Sequence, residues 1–208
     1  SASGDASLRL IYGGQVAPVN TSLVSNYKDI SPFLKNQKWN SVNGTMYGIP
    51  HGWGANVLAY NSAKVKKPTS WSVVFDPKSQ YAGKITAYDS PIYIADAAMY
   101  LMSTNPGLGI KNPYSLDQKQ LDAATALLKG QKKIVGEYWS DYTKSVQSFE
   151  SGNTLLGSSW QVIANIINGD KKVKVDSVVP KEGATGWSDT WMISAKRSEE
   201  HTSELQSH

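Results

Sequence analysis

The chain has 208 residues and no cysteine. Disulfides, thiolate metal sites and cysteine nucleophiles are therefore excluded. Histidine is also scarce, and His51 is the only one before residue 197. A Ser-His-Asp triad is hard to build with one histidine, and the serines at 158 and 159 lie outside a G-x-S-x-G motif. We therefore expect a protein that is not an enzyme, with no catalytic residue, metal ion or cofactor.

Long apolar runs are missing too. The sequence contains no stretch of about 18 apolar residues, so no transmembrane helix is predicted. Hydrophobic residues nevertheless make up 40% of the chain, and seven of them are tryptophans. That is enough to bury a core, and the length favours one or two domains.

Acidic residues are fewer than basic ones, and the net charge is +4. A basic balance can indicate nucleic-acid binding. Here the lysines form short, separate groups near predicted turns, and neither an RNA-binding aromatic signature nor zinc-finger spacing is present. Solvated surfaces explain these groups better, so we expect no nucleic-acid partner. The groups are Lys64, Lys66 and Lys67; Lys132 and Lys133; and Lys171, Lys172 and Lys174.

The two ends of the chain need separate treatment. Residues 197–208 can be back-translated into a string that resembles a DNA sequencing adapter, so we expect 197–208 to be a non-native tail. The tail carries one arginine and three glutamates, so 1–196 is more basic than the whole chain. Residue 1 is a serine with no signal sequence before it, and we expect an internal fragment of a longer reading frame.

Strand and helix patterns alternate along the chain, which predicts an α/β fold. Helices are predicted at 6–12, after Trp71, and at 93–103, 117–130, 143–151 and 161–168. Strands are predicted at 47–61, 83–88, 155–158 and 173–179, and residues 15–45 are expected to be mostly loop.

The most informative local pattern is Trp187-Ser188-Asp189, which follows Gly186. In an extended segment, residues two apart share a face, so Trp187 and Asp189 can present a π-face and a negative charge to one ligand. That pair suits an organic ammonium ion. The alternative is a strand entering a core, with the tryptophan packed and the aspartate capping a turn.

Several segments, in order, resemble the putrescine- and spermidine-binding receptors of bacterial ABC importers. They are SGDASLRLI at 3–11, YGIPHGWGAN at 47–56, AYDSPIYIADAA at 87–98, VPKEG at 179–183 and WSD at 187–189. The resemblance implies a two-lobed α/β fold of the type II periplasmic-binding-protein kind, truncated at both ends. It assigns 1–60 to part of lobe I, 61–188 to lobe II and 189–196 to the return to lobe I.

The resemblance also implies a ligand site in a cleft between the lobes. Ser3 and Asp5 fall in a first-lobe loop that touches ligand, and Trp160 falls at an aromatic that packs on the methylene chain. Trp187 and Asp189 fall at the hinge aromatic and at the carboxylate that pairs with an ammonium.

One loop departs from the family pattern. Spermidine receptors carry acidic residues after the strand that ends near residue 88. This chain has Ser90 and Tyr93 near those positions and keeps Asp89 close by. Asp89 and Tyr93 complete the predicted ligand-binding set.

The implied protein is a periplasmic bacterial receptor, monomeric, that delivers a small organic amine to an ABC permease in the inner membrane. A receptor for another solute such as a sugar is an alternative, since stacked tryptophans also suit sugar rings. A glycoside-type hydrolase using paired carboxylates is a further one. Three other residues have two possible roles each. Trp53 and Tyr88 could line the ligand site or pack against other side chains, and Asp141 could touch ligand or cap a helix.

Overall fold

The computed structural model describes residues 2–196, apart from the side chain of Asp5; the predicted non-native tail at 197–208 lies outside this part. The strands are β1 (Ala2–Ser3), β2 (Val16–Ala17), β3 (Ser41–Val42), β4 (Thr45–Met46), β5 (Gly48–Asn61), β6 (Ile85–Tyr88), β7 (Val135–Trp139), β8 (Leu156–Trp160), β9 (Val175–Val178) and β10 (Gly186–Ser194). The α-helices are α1 (Gly4–Tyr12), α2 (Ser72–Phe75), α3 (Ile94–Thr104), α4 (Gln118–Gln131), α5 (Tyr142–Glu150) and α6 (Gln161–Asp170). Short 3₁₀ helices lie at Thr21–Leu23, Tyr27–Asp29, Pro32–Leu34, Pro91–Tyr93 and Pro106–Leu108.

The chain forms two compact units. Among the described residues, the first unit contains 2–53 and 187–196, and the second contains Gly54–Gly186. The chain leaves the first unit along β5 and returns to it along β10. That these units are lobes I and II of a receptor, with boundaries after residues 60 and 188, stays a prediction.

In the first unit, β10 pairs with two short strands. β1 is antiparallel to β10 with Ser3 opposite Asp189, and β2 pairs antiparallel with the later part of β10. Helix α1 connects β1 to β2 and ends at Gly13, as the sequence predicted. The buried faces of this unit include Ser7 and Ile11 of α1.

The segment between β2 and β5 is held by tight turns, in agreement with the loop predicted there. Three 3₁₀ turns are followed by the β3–β4 hairpin. Its turn residues Asn43 and Gly44 have φ angles of 50° and 78°. Two positive φ values are what a two-residue hairpin turn requires, and asparagine followed by glycine adopts them most easily.

The second unit is an α/β/α sandwich. Its sheet has the order β9-β5-β8-β6-β7, with β5 antiparallel to β9 and β8, and β6 parallel to β8 and β7. Helices α2, α3 and α4 pack on one face around Leu58 and Ile85. Helices α5 and α6 pack on the other face around Ala59. Neighbouring residues 58 and 59 serve opposite faces because side chains alternate along a strand.

Close approach of strands explains one glycine of this sheet. Gly157 of β8 lies opposite Thr86 of β6. A Cβ atom added at Gly157 would lie 2.0 Å from the backbone oxygen of Thr86. Only glycine lets the two backbones come this close.

The α/β class predicted from the sequence is confirmed. Helix α4 begins with a capping box, in which Asp117 accepts from the backbone N–H of Gln120 and the Gln120 side chain accepts from the backbone N–H of Asp117. None of the described helices is long and apolar enough to cross a membrane.

Candidate functional site

The Trp187-Ser188-Asp189 segment lies in β10, and its residues alternate between two environments. Ser188 and Thr190 are buried, whereas Trp187 and Asp189 are partly exposed. This is the period of two that the sequence pattern predicted. The ring and the carboxylate therefore share one face of the strand, within reach of a common ligand.

Asp189 is held by the residue opposite it in the ladder. The Ser3 hydroxyl donates a hydrogen bond to Oδ1 of Asp189. Ser3 is also the N-cap residue of α1, but its side chain makes no capping hydrogen bond. Asp189 consequently lies beside the N-terminus of α1. A carboxylate offers about four acceptor positions, so Ser3 leaves capacity for another donor.

Asp5 lies in the first turn of α1. The prediction that it touches ligand concerns its side chain, which lies outside the described part of the chain.

Trp187 has a glycine beside it and further aromatic residues in the same unit. A Cβ atom added at Gly52 would lie 3.9 Å from Cζ3 of Trp187, so the glycine leaves the ring room to lie along β5. Trp191 is 59% exposed and stacks on His51 with ring centroids 4.6 Å apart. Trp53 is 60% exposed. The aromatic surface of the first unit is thus larger than the single tryptophan that the resemblance implied.

In the second unit, Trp160 lies where β8 ends and α6 begins. Its ring meets Trp139 edge to face, with centroids 4.9 Å apart and an interplanar angle of 85°. Tyr88 contacts both indoles, at 4.6 Å from Trp139 and 5.3 Å from Trp160. Tyr88 therefore packs within an aromatic cluster in which Trp139 is buried and both Tyr88 and Trp160 are partly exposed.

A buried polar network holds the indole N–H of Trp160. Nε1 of Trp160 donates to Oδ1 of Asn56 at 3.1 Å. Nδ2 of Asn56 donates to Oδ2 of Asp96 and to Oγ1 of Thr185, each at 3.0 Å. Thr185 in turn donates to Oδ1 of Asp96 at 2.9 Å. The network joins β5, β8, the start of α3 and the residue before β10.

Sequence reasoning missed Asn56, Asp96 and Thr185 as functional candidates. Asp96 is 1% exposed and lies among the alanines of α3. A charged residue inside an apolar helix pattern is the signal that could have identified it, because buried carboxylates need dedicated partners.

Burial raises the pKa of Asp96 to about 7, although hydrogen bonds from Thr185 and Asn56 act in the opposite direction. The carboxyl group is thus balanced between its two protonation states near neutral pH. Such groups are found at functional sites more often than elsewhere.

Asp89 and Tyr93 have contrasting positions. Asp89 follows β6, is exposed, and its backbone N–H donates to the Trp139 carbonyl at 2.7 Å. Tyr93 is 4% exposed, and its hydroxyl accepts from Nε2 of Gln131 at 3.0 Å. Burial, followed by the charge of Asp96, raises the pKa of Tyr93. The structure thus places Tyr93 in the core, and its role in ligand binding stays a prediction.

The loop before β10 has a structural role. Glu182 accepts from the Ser70 hydroxyl at 2.5 Å and from the Trp71 backbone N–H at 3.1 Å. The Trp71 indole donates to the Gly183 carbonyl at 2.8 Å. This loop anchors the start of α2 and fixes the chain that leads to Thr185.

Among residues 2–196, no group of three or more histidine, aspartate or glutamate side chains could hold a metal ion. Asp141 was expected either to touch ligand or to cap a helix. It accepts from the backbone N–H of Thr143 at 2.7 Å and caps α5.

Comparison with known proteins gives a consistent result. The family model described as bacterial extracellular solute-binding protein matches residues 1–204. The spermidine/putrescine-binding periplasmic protein of Escherichia coli strain K12 is 26% identical over 184 residues, which cover 88% of this chain and 49% of the relative. The putrescine-binding periplasmic protein SpuD of Pseudomonas aeruginosa strain UCBPP-PA14 is 27% identical, with coverage of 92% and 53%.

A solved structure shows the same fold. It is the spermidine/putrescine ABC transporter substrate-binding protein PotD from Streptococcus pneumoniae, with a TM-score of 0.70, 19% identity, and coverage of 92% of this chain and 55% of that one. The chain spans about half the length of the relatives it matches. Its fold is that of periplasmic binding proteins, and the chain belongs to the bacterial extracellular solute-binding protein family.

Proposed function

We propose that this chain is part of a receptor that captures a small polyamine, such as putrescine or spermidine, and delivers it to an ABC permease in the inner membrane. The observation that carries the proposal is the shared face of Trp187 and Asp189 on β10. The names of the relatives, which bind putrescine or spermidine, support the same ligand class.

Asp189 is the proposed partner of one ammonium group. It is partly buried, so its interaction with a cation is screened less than that of a surface charge. The hydrogen bond from Ser3 fixes one oxygen and orients the group. The nearby N-terminus of α1 opposes a bound cation, and the carboxylate must outweigh it. We therefore propose that the ligand ammonium contacts the oxygen that Ser3 leaves available.

Trp187 and Trp160 are the proposed aromatic surfaces. Trp187 is two residues from the carboxylate, which suits a cation–π contact with the same ammonium. Trp160 exposes part of an indole whose N–H is already bonded to Asn56. With its polar atom satisfied inside the protein, the indole offers an apolar face suited to methylene groups. The resemblance, rather than a measured distance, assigns both to one ligand.

The remaining candidates rank by accessibility. Ser3 contributes through Asp189, and Asp89 is an exposed carboxylate suited to a second ammonium. Among the candidates whose side chains the structure describes, Tyr93 is the least accessible, because its ring and hydroxyl are both engaged in the core.

The overall charge is the main physical argument against a polycationic ligand. The net charge of +4 repels amines at long range. Salt screens such repulsion beyond about 8 Å at physiological ionic strength. Local carboxylates therefore decide affinity, and a periplasmic receptor that acts as a monomer and has no enzymatic activity remains the proposed context.

Calorimetric titration of putrescine and spermidine into the protein and into Asp189→Asn tests the proposal. Loss of one partner of a buried charge pair costs about 2–5 kcal/mol, so the variant should bind both amines about 30- to 4,000-fold more weakly. Asp29→Asn is the matched control, since Asp29 is an exposed aspartate of the same unit. It should bind as the unchanged protein does.

Two results would contradict the proposal. Equal affinity of Asp189→Asn and the unchanged protein would remove the assigned role of this carboxylate. Saturable binding of a sugar instead of amines would favour the sugar receptor, since asparagine still accepts a hydrogen bond from a hydroxyl group.

A further inference from the structure

We propose that Asp96 is a positioning residue that sets the direction of the Trp160 indole through the side-chain amide of Asn56. The juxtaposition that carries this is the chain of hydrogen bonds from Trp160 to Asn56 and from Asn56 to Asp96. The importance of Trp160 for ligand rests on the proposed function, but the positioning itself does not.

Asn56 has one side-chain acceptor and one side-chain N–H₂ group, so its two ends are not equivalent. Both N–H bonds are used, toward Asp96 and Thr185. Both oxygens of Asp96 accept in this network, Oδ2 from Asn56 and Oδ1 from Thr185. An ionised carboxylate can only accept, so above about pH 7 Asp96 requires the N–H₂ end of Asn56 to face it. The oxygen of Asn56 is thereby directed toward the indole N–H of Trp160.

The ring contacts of Trp160 do not specify this direction. Tyr88 and Trp139 contact the indole through their rings, which fixes its location by packing. The hydrogen bond to Asn56 additionally fixes the direction in which the indole N–H of Trp160 points. An indole N–H is a donor only, so it cannot tolerate the N–H₂ end of a rotated Asn56 amide.

Asp96 is well suited to fix the orientation of the Asn56 amide, because burial prevents water from replacing its hydrogen-bond partners. It is 1% exposed, and the neighbouring Asn56, Thr185 and Trp160 supply the hydrogen bonds of the network. Asparagine has the same shape as aspartate but presents N–H₂ on one side. Asp96→Asn would place that N–H₂ group opposite Asn56 or Thr185, and rotation of the Asn56 amide would relieve the conflict.

The experiment follows the indole N–H resonances in protein labelled with ¹⁵N-tryptophan, at a pH above 7 where the Asp96 carboxylate is ionised. Trp160→Phe assigns the Trp160 resonance. In Asp96→Asn, the Trp160 resonance should shift because its acceptor is replaced by a donor, and putrescine affinity should fall about tenfold. Asp122→Asn is the control: Asp122 is an exposed carboxylate of α4 that accepts from Gln118, and its loss should leave the Trp160 resonance in place.

A double variant separates positioning from general damage. Asp96→Asn combined with Asn56→Asp puts the carboxylate at position 56, where it accepts both from the amide at 96 and from the Trp160 indole. The Trp160 resonance and the putrescine affinity should return toward those of the unchanged protein. A merely structural defect would be deepened by a second change in the same core.

The outcomes are distinct. An unshifted Trp160 resonance in Asp96→Asn overturns the proposal, as does a displaced resonance in a folded double variant. If Asp96→Asn does not fold, the folded double variant with a native Trp160 resonance still supports positioning. If the unchanged protein binds no amine, the proposed function fails, and the resonances alone decide whether Asp96 positions Trp160.

Discussion

The two units hold their key carboxylates in opposite ways. Asp189 of the first unit is partly exposed on a strand face, and the Ser3 hydroxyl is its hydrogen-bond donor. Asp96 of the second unit is buried and bonded to both Asn56 and Thr185. The first arrangement leaves the carboxylate partly accessible, whereas the second engages both carboxyl oxygens in internal hydrogen bonds.

The hydrophobic cores of the two units also differ, and the second unit has the larger one. Both large hydrophobic clusters of the described residues lie in the second unit, around Leu58 and Phe149. The first unit buries fewer large side chains and exposes Trp53 and Trp191. We therefore expect the first unit to be the less stable of the two, since local stability follows the density of buried apolar contacts.

Core truncation should reveal this contrast most strongly. Phe149→Ala in the second unit should lower the free energy of unfolding by about 3–5 kcal/mol, because the ring is fully buried among α5, α6 and the sheet. Ile11→Ala in the first unit should cost about 2 kcal/mol, at the low end for such a change. Urea denaturation with hydrogen exchange read in each unit measures both. Equal losses at the two positions would break the comparison.

The buried carboxyl predicts a pH dependence. The pKa of Asp96 is about 7 in the folded chain against an ordinary 3.8. Between about pH 4 and pH 7 the folded state therefore holds a proton that the unfolded state has released, so stability falls as the pH rises through this window. One such proton contributes at most about 1.4 kcal/mol per pH unit. Tyr93 and Tyr114 are the titratable side chains whose pKa values Asp96 raises, and both titrate far above the window.

Unfolding free energies measured at several pH values across this window test the assignment. Asp96→Asn should remove the slope, while Asp189→Asn, which leaves the buried network intact, should keep it. A slope that survives in Asp96→Asn would show that another group carries the proton.

We expect the smallest effect from replacing Trp187, the tryptophan two residues before Asp189. Trp187→Leu should weaken putrescine binding by about 0.5–2 kcal/mol if the cation–π contact is its main contribution. Calorimetry on this variant and on Asp189→Asn compares the two directly. A larger loss from the tryptophan than from the carboxylate would favour a ligand recognised by stacking, as a sugar would be.

Local sequence patterns predicted most elements of the second unit and the start of the first. Helix α1 ends at Tyr12 as predicted, and Asp141 caps α5, which is one of the two roles that the sequence left open for it. The pattern did not reveal β7, whose residues lie between the helices predicted at 117–130 and 143–151. Edge strands of five residues offer little periodicity to detect.

The site was predictable only in part, for a physical reason. Period-two alternation places Trp187 and Asp189 on one face without knowledge of any partner. The bond between Ser3 and Asp189 joins residues 186 positions apart and depends on strand pairing. The Asn56–Asp96 bond spans 40 positions. Such pairings follow from the assembled sheet and leave no local pattern in the sequence.

Gly157 has a consequence for any mutational survey of this protein. Strand propensity alone would recommend replacing it, because glycine weakens a strand interior. In β8, however, even alanine would press a methyl group against the backbone of β6, three residues before Trp160. Position 157 should therefore tolerate almost no side chain, although it is buried in the sheet and is not among the proposed ligand-binding residues. A library scored only for binding would record it as a recognition residue, and a parallel screen for folded protein is needed to tell architecture from specificity.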